Sequence, residues 1–428
     1  MSQLSRRNFN IMLGATGAAT LASTAIGTFA YAQGKGRVVI IGGGAGGGTV
    51  AHLVKKGAPG LDVTLVEANA QYTSCFFSNL YLGGFRSFES ITHSYDGLKK
   101  LGVNVVTDYA TGVDSAKKTV TLRGGATLAY DKLVLSPGID FKWGGIEGYS
   151  DDAAQMMPHA WKAGAQTQVL KKQLEAMKAG GTVIMSPPPN PFRCPPGPYE
   201  RASMIASYLK ANKPGSKLII MDPKPKFSKQ ALFQEGWAAH YQDIIEWVPP
   251  DLTGGGVKKV DAKAMTVTTG DGETVKADVA NIIPAQMAGK IVHVAGCSDG
   301  DWCPINPADF SSTKVKDIYV IGDASIAKKM PKSGFSANSQ AKVVANSVLA
   351  ALAGKKKFPA RYRNTCWSLI SANNGVKVGA SYKAGADMVE VNSKFISKTG
   401  ETAELRKQTF EESLDWYTAM TNEMFAKG

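Results

Sequence analysis

Arg37-Val-Val-Ile-Ile-Gly42-Gly-Gly44-Ala-Gly-Gly47, with Asp62-Val-Thr-Leu-Val-Glu67 a little further on, decides how this chain folds. Val38 to Ile41 is a short apolar run of β-branched residues and reads as a strand. The glycines fit G-x-G-x-x-G at Gly42, Gly44 and Gly47. The spacing therefore predicts strand, tight turn and a helix from about Gly47 to Lys56, then a second strand ending on Glu67, about 20 residues past the last motif glycine. The first glycine permits the sharp turn, the second lets backbone approach a pyrophosphate, and the third lets helix and strand pack closely. The helix N-terminus then faces the phosphates and Glu67 takes a ribose hydroxyl. A glycine-rich match alone is weak. The strand before it, the helix after it and the acid at the right distance separate it from a plain flexible turn.

Ahead of this unit, Met1–Ala32 reads as a targeting segment. Ser5-Arg-Arg-Asn-Phe9 resembles the twin-arginine signature, an apolar Ala/Leu/Thr-rich region follows, and Ala30-Tyr-Ala32 offers small residues for cleavage before Gln33. An ordinary secretory signal with incidental arginines is the alternative, and both take the protein out of the cytoplasm. The twin-arginine reading implies a periplasmic protein that folds around its cofactor before export. No other apolar run reaches the ~18 to 20 residues that span a bilayer, so no transmembrane segment is expected. The roughly 400 residues that remain exceed one core and imply two or three domains. The net charge of +14 favours an acidic partner or an anionic substrate. Its lysines are scattered and accompany no recognition motif, which argues against nucleic acid.

Downstream, strand and helix patterns alternate. Val103–Val106, Thr119–Leu122 and Lys132–Leu135 read as strands, the last running into Ser136-Pro-Gly138. Asp317-Ile-Tyr-Val-Ile321 leads to Gly322-Asp323 and a helical stretch from about Ser336 to Ala353. A second, similar unit lies between them: strand Thr182–Met185, helix Tyr199–Lys210, strand Lys217–Met221 ending on Asp222, and short strands within Val257–Val279. The opening unit, Leu-Val-Leu-Ser-Pro-Gly and Tyr-Val-Ile-Gly-Asp, in that order, resemble the FAD-binding segments of two-dinucleotide-domain flavoprotein disulfide reductases. That resemblance implies that Asp323, after Gly322, hydrogen-bonds the ribityl chain, and that the following helix aims its N-terminus at the flavin, favouring negative charge there.

The second unit departs from that pattern. Ser186-Pro-Pro-Pro-Asn-Pro-Phe-Arg-Cys194-Pro-Pro-Gly-Pro-Tyr-Glu200 stands where a nicotinamide-binding glycine loop belongs. Prolines offer no N–H and block close backbone approach, so NAD(P) is not expected here. The same stretch resembles sulfide:quinone oxidoreductases and, more closely, the flavoprotein subunit of flavocytochrome c sulfide dehydrogenase. The implied fold is α/β, with two Rossmann-like dinucleotide-binding-type domains and a smaller C-terminal α+β domain. Its boundaries are 1–32 for the signal, 33–155 with 287–354 for the discontinuous FAD domain, 156–286 for the NAD-domain-like unit without NAD, and 355–428 for the C-terminal domain.

The chain has five cysteines, Cys75, Cys194, Cys297, Cys303 and Cys366, and an odd count in an exported protein leaves one to explain. By the resemblance, Cys75 in Tyr72-Thr-Ser-Cys75-Phe-Phe-Ser-Asn carries FAD covalently through an 8α-S-cysteinyl bond. Family position also pairs Cys194 with Cys366 beside the flavin. Cys297 and Cys303 are near enough to close a small loop around Asp299-Gly-Asp301. A buried inert thiol at Cys75, and bridges that are purely structural, are the alternatives. No C-x-x-C, haem-attachment or zinc spacing occurs, and His52, His93, His159, His240 and His293 form no ligand pair, so no metal is expected and any haem belongs to another chain.

The resemblance implies that hydrosulfide attacks the Cys194–Cys366 bridge by thiol–disulfide exchange, leaving a persulfide and a thiolate. It gives Glu200 a proton-handling role, where the plainer reading makes it a helix cap. Arg193 can attract the anion, though a surface arginine is the plainer reading. The implied protein is a sulfide dehydrogenase subunit in a heterodimer with a c-type cytochrome. A sulfide:quinone oxidoreductase at the membrane and a non-catalytic flavoprotein carrier are the competing readings. An apolar spacing at Phe410, Leu414, Tyr417 and Met424 predicts a C-terminal helix whose acidic bias suits docking onto its own protein rather than onto an anionic membrane.

Overall fold

A computed structural model describes residues 35–427 of the chain. The export segment predicted at Met1–Ala32 lies outside the described residues. The central strand Arg37–Ile41 pairs in parallel with Asp62–Glu67 on one side and Lys132–Leu135 on the other. Asn104–Thr107 and Ile318–Val320 complete a five-stranded parallel sheet. Val38, Ile40 and Leu65 are fully buried, which is why this strand pair carries so few polar residues. The helices Gly47–Gly57 and Gly334–Leu352 lie against each other, and a methyl at Gly57 would press on Leu349 Cδ1 at 2.7 Å. The strand Ile318–Val320 enters beside Lys132–Leu135 after a long excursion, so the first sheet is assembled from distant parts of the chain.

That excursion holds the second parallel sheet, ordered Ile245–Val248, Lys217–Met221, Thr182–Ser186 and Val279–Ile282. Each unit also carries a three-stranded antiparallel meander: Ala110–Asp114, Thr119–Leu122 and Thr127–Ala129 in the first, Val257–Asp261, Thr266–Thr269 and Thr274–Lys276 in the second. The chain ends in a third layer, the antiparallel strands Arg361–Ser371, Asn374–Ala384 and Val389–Ile396 followed by the helix Ala403–Phe425. This α/β architecture, two Rossmann-like sheets with a C-terminal sheet and helix, is the fold class the motifs imply.

The last helix turns Tyr417, Met420, Met424 and Phe425 inward against the protein itself. Thr402 caps it, accepting from Leu405 N at 3.3 Å. Several elements escape the sequence patterns, three of them for local reasons. Gly112-Val-Asp114 belongs to a bulged strand, because the register with Thr119–Leu122 slips between Ala110 and Gly112. The helices Ala165–Ala176 and Gln230–His240 begin without a side-chain N-cap, so no start signal marks them.

Candidate functional site

The carboxyl ends of the first sheet open into a cavity of about 510 Å³. Gly42, Gly44, Glu67, Cys75, Gly322 and Asp323 all line it, together with Arg193 and Cys194. Gly47 starts the helix beneath, where a side chain would overlap the Gly42 carbonyl. Gly42 itself, at φ 95°, has Ser136 O where a Cβ would go. Backbone is thus bare where a pyrophosphate approaches. Glu67 Oε2 accepts from Gly43 N at 2.7 Å, so the acid fixes the turn as well as facing the cavity.

Gly322 N donates to Gln340 Oε1 at 2.7 Å, and Asp323 follows with its Oδ1 buried and without a hydrogen bond. A buried carboxylate oxygen left bare beside a cavity asks for a donor. Trp161 Nε1, also lining the cavity, is an unpartnered buried donor. These orphans and the glycine cradle fit a flavin dinucleotide, with Gly42, Gly44 and Gly47 at the phosphates, Glu67 at a ribose and Asp323 at the sugar chain.

The second unit does not fit a nicotinamide dinucleotide. Asp222, the acid at the end of Lys217–Met221, is fully buried and saturated. Tyr199 Oη and Trp247 Nε1 donate to its Oδ2 at 2.6 and 3.1 Å, while Lys224 Nζ and N donate to Oδ1 at 2.7 and 3.0 Å. Phe227 stacks on Tyr199 at 3.6 Å between ring centroids. No oxygen remains for a ribose hydroxyl.

Cys194 lines the flavin-type cavity, and Cys366 lies near enough for its charge to act on Cys194. Cys194 sits half-buried in the proline loop, at φ 58°, its N–H bonded to Lys332 O at 2.7 Å. Cys366 is buried in the middle of strand Arg361–Ser371, where Asn364 Nδ2 reaches its Sγ at 3.4 Å. Burial pushes the Cys194 thiol well up, and the neighbouring Cys366 and Glu200 charges add to that. Burial pushes Cys366 up as well, against the hydrogen bond from Asn364 and the charge of Lys229. The two bridges expected from the sequence are not formed: all five cysteines are free thiols. Cys366 is held instead by Asn364, and Cys297 Sγ turns to Ala295 O at 3.7 Å.

Glu200 does not cap its helix. Its Oε2 accepts from Asn79 Nδ2 at 2.8 Å and its Oε1 from Leu369 N at 2.9 Å. Burial raises its pKa although both hydrogen bonds oppose the rise. Arg193 is no surface arginine either. Its side chain is 12% exposed, its NH1 lies 3.6 Å from Asp323 Oδ2, and its NH2 donates to Trp161 O. Burial opposes its charge, but Cys75, Asp323 and Tyr72 around it more than offset that.

Sequence patterns give no sign of three further residues. Asn79 joins Glu200 to Arg201, whose Nε donates to Asn79 Oδ1 at 3.0 Å. Arg201 is 1% exposed, and burial lowers its pKa to about 9. Lys229 reaches the cysteine pair from a different loop. Arg201, directly after Glu200, and Asn79, at the end of the Cys75 stretch, lie near residues already singled out, but Lys229 does not.

Three family models tile this architecture. The pyridine nucleotide-disulphide oxidoreductase model matches residues 36–178. The central model of the sulfide dehydrogenase [flavocytochrome c] flavoprotein chain matches 167–284, and the flavocytochrome c sulphide dehydrogenase flavin-binding model matches 358–425. The chain belongs to the flavocytochrome c sulfide dehydrogenase flavoprotein family. A fragment of the corresponding flavoprotein chain from Chlorobaculum thiosulfatiphilum is 46% identical over 46 residues, 11% of this chain and 96% of that sequence. The sulfide-quinone reductase of Aquifex aeolicus (strain VF5) is 26% identical over 408 residues, 89% of this chain and 90% of its own. In fold, the X-ray structure of the sulfide:quinone oxidoreductase from Aquifex aeolicus superposes with a TM-score of 0.67 at 19% identity, covering 92% of this chain and 93% of that one. This is a sulfide-oxidising flavoprotein family, and FAD is the cofactor it implies.

Proposed function

We propose that this flavoprotein oxidises sulfide at the Cys194/Cys366 pair and passes the electrons to a c-type cytochrome subunit in the periplasm, with FAD attached through Cys75. The observation that carries the reading is the meeting of Cys194, Cys366 and Glu200 in one buried cluster beside the cavity that Cys75 and Asp323 line. Two thiols from distant parts of the chain, close enough for the charge of Cys366 to act on Cys194, make a redox pair that cycles between dithiol and disulfide. Hydrosulfide displaces one sulfur of the oxidised pair, leaving a persulfide on one cysteine and a thiolate on the other. Glu200, whose carboxyl burial favours in its protonated form, stands where it can hand a proton to the displaced sulfur. Arg193 and Arg201 give the approach a positive field that suits an anion. Bound flavin supplies a two-electron acceptor that releases electrons singly.

The quinone-linked reading draws on the Aquifex relative, which aligns along nearly the whole chain and is named for that acceptor. The family models that match at the centre and C-terminus support the cytochrome-linked reading. The deciding test of the chemistry is Cys194→Ser and Cys366→Ser. Each should abolish bleaching of the flavin by sulfide while flavin stays bound, because the target of the nucleophile is gone and the cavity is not. Normal bleaching in both variants would sink the mechanism.

A further inference from the structure

The cluster beside the cysteine pair contains a cation that the scheme above leaves without work. Lys229 precedes the helix Gln230–His240 and stands at φ 62°, a left-handed conformation that disfavours side chains other than glycine's. It is 6% exposed. Its Nζ donates to Cys366 O at 3.0 Å, to Ser368 Oγ at 2.8 Å and to Val376 O at 3.4 Å, and the Phe233 ring centroid lies 5.7 Å away. Among the described residues no carboxylate lies within ion-pair distance of it. A buried ammonium bound only to neutral oxygens is a poor device for stability, since an apolar side chain of the same length packs there without losing hydration.

The charges that face this ammonium come from three elements: Cys366 on its strand, Glu200 on the helix Gly197–Asn212, and Cys194 on the proline loop. Cys366 contributes most. Arg201 also faces Cys194 and Glu200. Burial lowers Lys229 to about 8, and an anion formed on Cys366 holds the proton on. Cys366 and Lys229 are therefore complementary only when the thiol is ionised.

We propose that Lys229 is the charge-balancing partner of the thiolate released on Cys366, a positioning residue that acts through that sulfur; this rests on the redox-pair reading above. When hydrosulfide attacks Cys194, a bond forms between the incoming sulfur and Cys194 Sγ, and the Cys194–Cys366 bond breaks. Its electron pair stays on Cys366 Sγ. No proton leaves Lys229 in this step; the ammonium stays beside the new anion and offsets its charge. Asn364 Nδ2, already on Cys366 Sγ, supplies a neutral donor to the same sulfur. Cys194 is half-buried and Cys366 buried, so the attacked sulfur is the more accessible one and the leaving sulfur is the one the lysine serves.

The test is the pH profile of iodoacetamide alkylation of Cys366 in the dithiothreitol-reduced full-length holoprotein, followed by peptide mass spectrometry with Cys297 as the reference thiol. Lys229→Gln and Lys229→Met remove the charge, the second while keeping a similar stem. Each should move the Cys366 inflection up by about one pH unit, making alkylation at pH 8 about tenfold slower, with Cys297 unmoved. Ser368→Ala removes a hydrogen bond from the same pocket and keeps the charge, so its inflection should stay at or below the wild-type value. An unmoved Cys366 in the lysine variants, or an equal rise in Ser368→Ala, overturns the proposal. Should neither lysine variant fold, Ser368→Ala decides alone, a raised inflection counting against and an unraised one in favour. Wild-type protein whose flavin sulfide does not bleach would refute the redox-pair reading by itself, and leaves the alkylation result to be judged separately.

Discussion

At the scale of single residues, the cavity separates three roles for sulfur. Cys75 faces the same space as Asp323 and the glycine turn, Cys194 stands where the cavity meets the pair, and Cys366 lies behind it. If the flavin is attached at Cys75, Cys75→Ser should release it on acid denaturation. Yellow colour that stays on the denatured variant would rule the attachment out. Glu200 yields a second expectation, with a definite sign. Its folded pKa is raised by burial, so between the ordinary glutamate value near 4.3 and the raised one the native state binds more protons than the unfolded chain. Wild-type stability therefore falls as pH rises through that window. Glu200→Gln has no such loss, so its melting temperature relative to wild type should climb from pH 4 to pH 7. Its sulfide oxidation should fall by about a hundredfold near neutral pH, the lower end for loss of a proton-transfer group. A relative melting temperature that is flat or falls with pH would show that folding does not raise the pKa of Glu200.

Elements explain what the sequence disclosed and what it withheld. The first unit was legible because its signals are local: the strand Arg37–Ile41, the turn at Gly42 and the acid at Glu67 lie within one short stretch, and each has its own backbone requirement. Cys194, Cys366 and Asp323 were legible only through the order of their motifs. Lys229 and Asn79 were not legible at all, because their importance lies in contacts that cross the fold. Asn79 reaches Glu200 on another helix, and Lys229 reaches Cys366 on a strand far along the chain. The buried seat of Arg193 was hidden for a related reason, since an arginine in a proline-rich loop gives no hint that the loop folds inward onto Asp323. The C-terminal helix was foreseen from its period, but its seat was not. It ends against two glycines of the first unit: a side chain at Gly48 would meet Met424 O at 2.8 Å, and one at Gly97 would overlap Phe425 O. Gly97→Ala should consequently cost about 1 to 3 kcal/mol in denaturant unfolding, the range for overpacking a well-fitted contact. An unaffected midpoint would mean that the helix end is not locked there.

For the molecule as a whole, the open question is where the electrons go. Among the described residues no helix is long and apolar enough to cross a membrane. The C-terminal helix buries its apolar side against its own protein and carries Glu404, Glu411, Glu412 and Asp415 on the remainder, a bias that an anionic lipid surface repels. The net charge of +14 is spread over the rest of the chain, where it suits a protein partner bearing carboxylates. These charges favour a cytochrome held on the flavoprotein. Purification from the native source should yield a complex that contains haem, and the flavoprotein separated from it should reduce cytochrome c far faster than a water-soluble quinone. Raising salt from 50 to 500 mM should slow the cytochrome reaction of the separated subunits, because association steered by charge weakens as the Debye length shrinks. A preparation that lacks haem, partitions into membranes and prefers quinone at every salt concentration would move this flavoprotein to the quinone-linked branch, with the chemistry at Cys194 and Cys366 unchanged.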